Sequence, residues 1–197
     1  MILSNTDNFL FLKNKKVGSS SVEIFLSQFL NPTKDVWYGE RGFGGEPDFP
    51  SMNVIGENKD PHIGWEEIKN LYSVPDHVRV YIVERNPYDQ YLSMRDYQII
   101  QGHTPYDPKR FFEFNYNIYL PAGNRINVLQ YEHLADEIKQ VCRIHALPFD
   151  INTWRQMKFK SSSRQNETSE FYKKNPDLKE AVENAAWYHF DTLGYEK

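Results

Sequence analysis

The 197-residue sequence holds a single cysteine, Cys142. One thiol closes no disulfide within the chain and builds no cysteine-based zinc site, which suits a reducing compartment and a cytoplasmic location. Long apolar runs are also missing. The longest near the N-terminus, Asn8 to Leu12, is far short of the roughly 20 residues of a membrane span. Residues 1 to 16 lack a basic segment ahead of an apolar core and a small-residue cleavage site, so neither membrane insertion nor a secretory signal is expected. Basic charge is in deficit, with 23 Lys and Arg against 27 Asp and Glu and a formal charge of −4. That excludes the overall electrostatic footprint of a duplex nucleic-acid binder and confines any anion site to a local cluster. No repeat and no low-complexity tract divides the chain, so residues 1 to 197 read as one domain.

Hydrophobic residues make up 40% and aromatics 15% of the sequence, enough for one core and far from the composition of disordered chains. Phe9 to Leu12 is short and wholly apolar, as in a strand buried on both faces. Val22, Phe25, Leu26, Phe29 and Leu30 then recur at helical spacing until Asn31-Pro32. The unit repeats. Val78 to Val83 reads as a second strand, and Asn86 and Pro87 as the cap and first position of a helix to about Ile100. Ile126 to Leu129 reads as a third strand before a helix carrying Leu134, Ile138, Val141 and Cys142. A last helix begins near Asn175-Pro176 and precedes Gly194. Alternating strands and helices predict an α/β fold of three layers, α/β/α, around a mainly parallel sheet. Ligands of such folds bind at the carboxyl ends of the strands.

Two stretches read as loops: 33–61, rich in Gly, Pro, Asp and Asn, and 102–124, which mixes Pro with aromatics. Trp37, Tyr38, Phe43, Tyr106, Phe111 and Phe112 within them either line an acceptor pocket or pack the loops onto the body.

Two motifs carry chemistry. Lys16-Val17-Gly18-Ser19-Ser20-Ser21 lies between the first strand and the first helix, where unpaired N–H groups and the positive end of the helix dipole stabilise a phosphate. Gly18 permits close backbone approach, the serines supply hydroxyls, and Lys16 supplies a mobile charge. The alternative is a serine that caps the helix beside a solvated lysine. No Walker A pattern is present, since the lysine precedes the glycine, which disfavours triphosphate hydrolysis. The second motif, Glu84-Arg85-Asn86-Pro87-Tyr88-Asp89, ends the second strand, with Ser93 two helical turns further on. An arginine fork there holds a phosphate bidentately, or else pairs with Asp89 or Glu84.

The two motifs together, about 70 residues apart, resemble those of sulfotransferases that use 3′-phosphoadenosine 5′-phosphosulfate (PAPS). Val128-Leu129-Gln130-Tyr131-Glu132-His133-Leu134 is similar to that family's third strand and its following turn, and Phe190-Asp191-Thr192-Leu193-Gly194-Tyr195 to its closing segment. Asn14-Lys15 and Val17 depart from the commoner forms of the first loop. The resemblance covers about residues 8 to 197 and implies a P-loop-NTPase-like sulfotransferase fold. It also implies transfer of a sulfuryl group to a hydroxyl or amine of a small-molecule or carbohydrate acceptor, with adenosine 3′,5′-bisphosphate (PAP) as the other product. No metal, nucleic acid or membrane partner is implied.

In this scheme Lys16, Val17, Gly18, Ser19, Ser20 and Ser21 hold the 5′-phosphosulfate, and Lys16 offsets charge on the leaving oxygen. Arg85 and Ser93 clamp the 3′-phosphate, joined by Ser163 and Arg164 from a late basic loop. His62, just before a helix-like stretch from Ile63 to Leu71, is the expected base, with His103 and Glu40 in reserve. Two other readings stay open: a P-loop nucleotide kinase or hydrolase, and a non-catalytic nucleotide- or carbohydrate-binding module.

Overall fold

Strand alternation decides which residues enter which layer. The computed structural model describes residues 1–31, 33–39, 61–157 and 167–197. Within these lie five strands: β1 Ile2–Ser4, β2 Phe9–Phe11, β3 Val36–Trp37, β4 Arg79–Glu84 and β5 Ile126–Gln130. They form one sheet in the order β3-β1-β2-β4-β5. β2, β4 and β5 pair in parallel, while β1 pairs antiparallel with β2 and β3, so β1 alone runs against the other four. Because successive side chains point to opposite faces, Phe9, Phe11, Tyr81 and Val83 enter one core, and Leu10, Leu12, Val80 and Ile82 enter the other. Burial on both faces is why these segments are continuous apolar runs.

Nine α-helices lie among the described residues: α1 Ser19–Ser27, α2 Trp65–Leu71, α3 Pro87–Ile100, α4 Pro108–Tyr119, α5 Leu134–Ile144, α6 Ile151–Gln156, α7 Thr168–Lys174, α8 Pro176–Ala185 and α9 Trp187–Asp191. α1 and α5 cover one face through Val22, Phe25, Leu26, Leu134, Ile138 and Val141. α2, α3, α4 and α8 cover the other through Ile68, Tyr91, Met94, Phe112, Tyr119 and Val182. The layering is therefore α/β/α. The chain leaves β2 into α1 on one face and leaves β4 into α3 on the opposite face, so a crevice opens between the carboxyl ends of these neighbouring strands.

The predicted strands at Phe9 to Leu12, Val78 to Val83 and Ile126 to Leu129 are present, as are the helices that follow each of them. Asn86 caps α3, its side-chain oxygen accepting from the N–H groups of Tyr88 and Asp89, with Pro87 at the first turn. Such a cap contributes about 1 kcal/mol. One sequence expectation is corrected. The stretch 102–124 is not a loop, because Pro108–Tyr119 is α4, capped by the Asp107 carboxylate on Arg110 N–H. Phe111, Phe112, Asn115, Tyr116 and Tyr119 form its buried stripe, so Phe111 and Phe112 are core residues and not pocket lining. The other expected loop, 33–61, begins with β3, where Trp37 pairs with Ile2; its residues 40–60, including Glu40 and Phe43, lie outside the described residues.

No helix among the described residues is long and apolar enough to cross a membrane. Cys142 is buried in the face that α5 covers, and burial pushes its thiol up to about 11, which keeps it protonated and unreactive.

Candidate functional site

The first turn after β2 is built by force on its backbone. Lys16 has φ 65° and Gly18 φ 76°, so two left-handed residues bracket Val17. A lysine in that region is strained by about 1–2 kcal/mol, and such strain persists only where surrounding contacts hold it. Those contacts are present. Lys15 N–H donates to Asn115 Oδ1 at 3.1 Å, Gln90 Nε2 donates to the Lys15 carbonyl at 3.0 Å, and Ser19 Oγ donates to the Asn14 carbonyl at 2.6 Å. The buried Lys13 ammonium meets the buried Glu23 carboxylate at 2.6 Å, tying the start of the turn to α1.

α1 then begins with Gly18 as its cap, which has no side-chain oxygen to offer its first N–H groups, and has no acid in its first turn. The positive end of the helix is thus left facing the cavity described below. Ser20 and Ser21 line that cavity, as do Lys16, Gly18 and Ser19. Ser19 is engaged through its hydroxyl with Asn14, and Val17 is wholly buried in the core.

The second turn follows β4. Arg85 is mostly buried, at 14% exposure, and its Nη2 lies 3.6 Å from Asp89 Oδ2. That is an ion pair beyond hydrogen-bond length. Arg85 Nε is buried without a hydrogen-bond partner among the described residues, and the guanidinium lies 4.5 Å from the Tyr131 ring centroid. Asp89 also accepts from Thr168 Oγ1. Glu84 does not pair with Arg85. Strand alternation sends it to the opposite face, where its carboxylate meets Asn14 and His189.

Both turns open onto one cavity of 1090 Å³, lined by Lys16, Ser20 and Ser21 from the first turn and α1 and by Arg85, Asp89 and Ser93 from the second turn and α3. Leu134, Ala135, Trp154 and Met157 give it an apolar wall. His62 and His103 both line it, together with Tyr97 and Tyr106. Lys16 Nζ lies 4.6 Å from the Tyr97 ring centroid, and Lys15 Nζ 3.8 Å from that of Phe114. His62 packs on the edge of the same Phe114 ring. Of the residues assigned from sequence, Lys16, Gly18, Ser19, Ser20, Ser21, His62, Arg85 and Ser93 are therefore brought together. Ser163 and Arg164 lie outside the described residues, as does Glu40.

Sequence reasoning missed several wall residues. Tyr131 and Glu132 follow β5 and were legible only as a turn. Glu132 binds the parts of the site to one another: Oε1 accepts from Asn86 N–H at 2.8 Å and Oε2 from Tyr195 O–H at 2.9 Å. Burial, and the Glu132 charge after it, push the Tyr195 hydroxyl well above its ordinary range, which keeps it a donor. Trp154 was hidden in a helix of six residues, too short to show a period.

The arrangement sets a helix N-terminus, a strained lysine and an arginine whose Nε has no partner among the described residues around one cavity with an apolar wall. Comparisons with protein-family models, with curated proteins and with solved structures find no match to this chain.

Proposed function

We propose that this chain is a sulfotransferase that moves a sulfuryl group from 3′-phosphoadenosine 5′-phosphosulfate to a hydroxyl or amine of a small-molecule or carbohydrate acceptor, on a P-loop-like sulfotransferase fold. One observation carries the reading: Lys16 and Gly18 to Ser21 of the first motif and Arg85 and Ser93 of the second, matched separately in the sequence, line the same cavity. A donor with phosphates at the 3′ and 5′ positions of one ribose calls for two anion sites of this kind. Arg85 Nε, which has no hydrogen-bond partner among the described residues, supports it further, since a buried charged donor left unsatisfied costs upward of 1–3 kcal/mol and an anion removes that cost.

In this reading Ser20, Ser21 and the N–H groups that open α1 hold the 5′-phosphate, and Arg85 and Ser93 hold the 3′-phosphate. Trp154, Leu134 and Met157 take the base. Lys16 offsets the negative charge that grows on the bridging oxygen as the bond from sulfur to that oxygen breaks. His62, or His103 across the cavity, accepts the proton that the acceptor group loses as it bonds to sulfur. The expected rate contribution of such a base is about two to four decades.

Thermal shift tests the reading. Adenosine 3′,5′-bisphosphate is expected to raise the melting temperature, with ATP and magnesium giving much less, and labelled donor is expected to lose its sulfuryl group to an acceptor in a broad panel. The reverse order of the two nucleotides would indicate a kinase or hydrolase. Tight bisphosphate binding with no transfer to any acceptor would indicate a binding module.

A further inference from the structure

A buried polar chain runs from the lysine turn to the far end of the sequence. Asn14 Nδ2 donates to Glu84 Oε1 at 2.8 Å, and His189 Nε2 lies 3.0 Å from Glu84 Oε2. Tyr116 O–H completes the chain at 2.9 Å from His189 Nδ1. Glu84 and His189 are 0% exposed and Asn14 is 1% exposed. A carboxylate is costly in such a place unless its oxygens are filled with donors, and both oxygens here have one. Apolar residues of the same size would pack this site without that cost, so the chain's presence calls for a reason other than stability.

Its position supplies one. Asn14 is two residues from Lys16, the strained residue whose side chain enters the cavity. Residues 14 and 15 are held from four directions: by Glu84 at the end of β4, by Gln90 on α3, by Asn115 on α4 and by Ser19 on α1. Glu84 is in turn held by His189 on α9. Lys16 is thus the first residue of the turn whose backbone is left to strain, because the two before it cannot yield.

We infer that Glu84 is a positioning residue: through Asn14 it holds the lysine turn in its left-handed form, and through His189 it makes that form depend on the docking of α9. Arg85, the next residue, points to the opposite face and lines the cavity, so one strand end serves both anion sites, directly through Arg85 and indirectly through Glu84. The part of this inference that concerns ligand affinity rests on the nucleotide reading above. The part that concerns the turn does not.

The test uses the full chain with two variants. Glu84→Gln keeps an oxygen for Asn14 and an amide that His189 can accept from by changing tautomer, whereas Glu84→Ala removes both. Amide hydrogen exchange is measured on the unliganded protein at residues 15–18, with Ile82 and Val83 as core reporters. Glu84→Ala is expected to speed exchange in the turn by about tenfold or more with the core reporters unchanged, and Glu84→Gln to stay close to the unmodified protein. Affinity for adenosine 3′,5′-bisphosphate is expected to fall about tenfold in Glu84→Ala and to be largely retained in Glu84→Gln. Should Glu84→Ala not fold, Asn14→Ala breaks the same bond from its other end and carries the same expectation. Turn amides that exchange at the unmodified rate in the alanine variants would overturn the inference, and so would core reporters that accelerate as much as the turn. If the unmodified protein does not bind the bisphosphate at all, the nucleotide reading fails while the exchange result still decides the role of Glu84.

Discussion

A Cβ placed on Gly18 would stand 2.7 Å from Cε2 of Tyr131, closer than real side chains approach. The turn after β2 is thereby packed directly against the ring that lies under the Arg85 guanidinium of the turn after β4. Gly18→Ala is expected to lose about 1–3 kcal/mol in urea unfolding, from the positive φ and from displacement of the ring. Gly102→Ala is the control. Its φ is +73° but no described residue lies within 4 Å of the added Cβ, so it carries the conformational part alone, about 1 kcal/mol. Bisphosphate affinity should fall only in Gly18→Ala, and equal losses of stability in the two variants would show that the Tyr131 contact has no consequence.

Lys16 allows stability and activity to be separated. Lys16→Ala keeps the left-handed strain and should lose transfer by at least two decades with the fold intact. Lys16→Gly should lose transfer equally and yet melt higher than Lys16→Ala, by about 1 kcal/mol, because glycine adopts that φ without a Cβ clash. Full turnover in either variant would remove Lys16 from the chemistry.

Much of this site could be read from the sequence, and the parts that could not share a physical cause. The strand ends and the helix starts at Ser19 and Pro87 follow from local signals: apolar runs, an Asn-Pro cap and a glycine before serines. α4 was equally legible, since Phe111, Phe112, Asn115, Tyr116 and Tyr119 keep a helical period behind an Asp-Pro start, but its proline and aromatics resemble loop composition. β1 and β3, of three and two residues, are too short to show alternation and form because β2 offers an edge to β1 and β1 offers one to β3. The chain from Asn14 to Glu84 to His189 spans separations of 70 and 105 residues. No local pattern announces it. Nor does any signal mark the positive φ of Lys16, which tertiary contacts impose against the preference of the residue.

His145 gives the fold a defined response to acid. Asp7 O can only accept, so Nδ1–H donates to it at 2.7 Å and Nε2 accepts from Tyr81 O–H at 2.9 Å. Burial holds this imidazole below its ordinary pKa, the Asp7 hydrogen bond opposing in part. The unfolded chain therefore binds the proton more readily than the folded one, and the contribution of His145 is complete above the unfolded pKa of about 6.5 and declines as pH falls below it. The urea midpoint should drop between pH 7.5 and pH 5.5, and His145→Gln should flatten that slope. An unchanged slope would assign the acid response to other groups.

Asn86 couples the α3 cap to the site. Asn86→Ala should cost about 1 kcal/mol of stability through the Tyr88 and Asp89 N–H groups it leaves open. It should also weaken bisphosphate binding, since Arg85 precedes it and Glu132 holds its own N–H. A stability loss of that size with unchanged binding would show that the corner keeps its shape without the cap.

That two separate turns grip the 5′- and 3′-phosphates of one nucleotide is tested most directly by a calorimetric cycle. Adenosine 3′,5′-bisphosphate and adenosine 5′-monophosphate are titrated into the unmodified protein and into Arg85→Ala. Deleting the 3′-phosphate and deleting the arginine should each weaken binding about tenfold or more, and the two losses should not add. Equal affinity of the unmodified protein for both nucleotides, or fully additive losses, would contradict the claim.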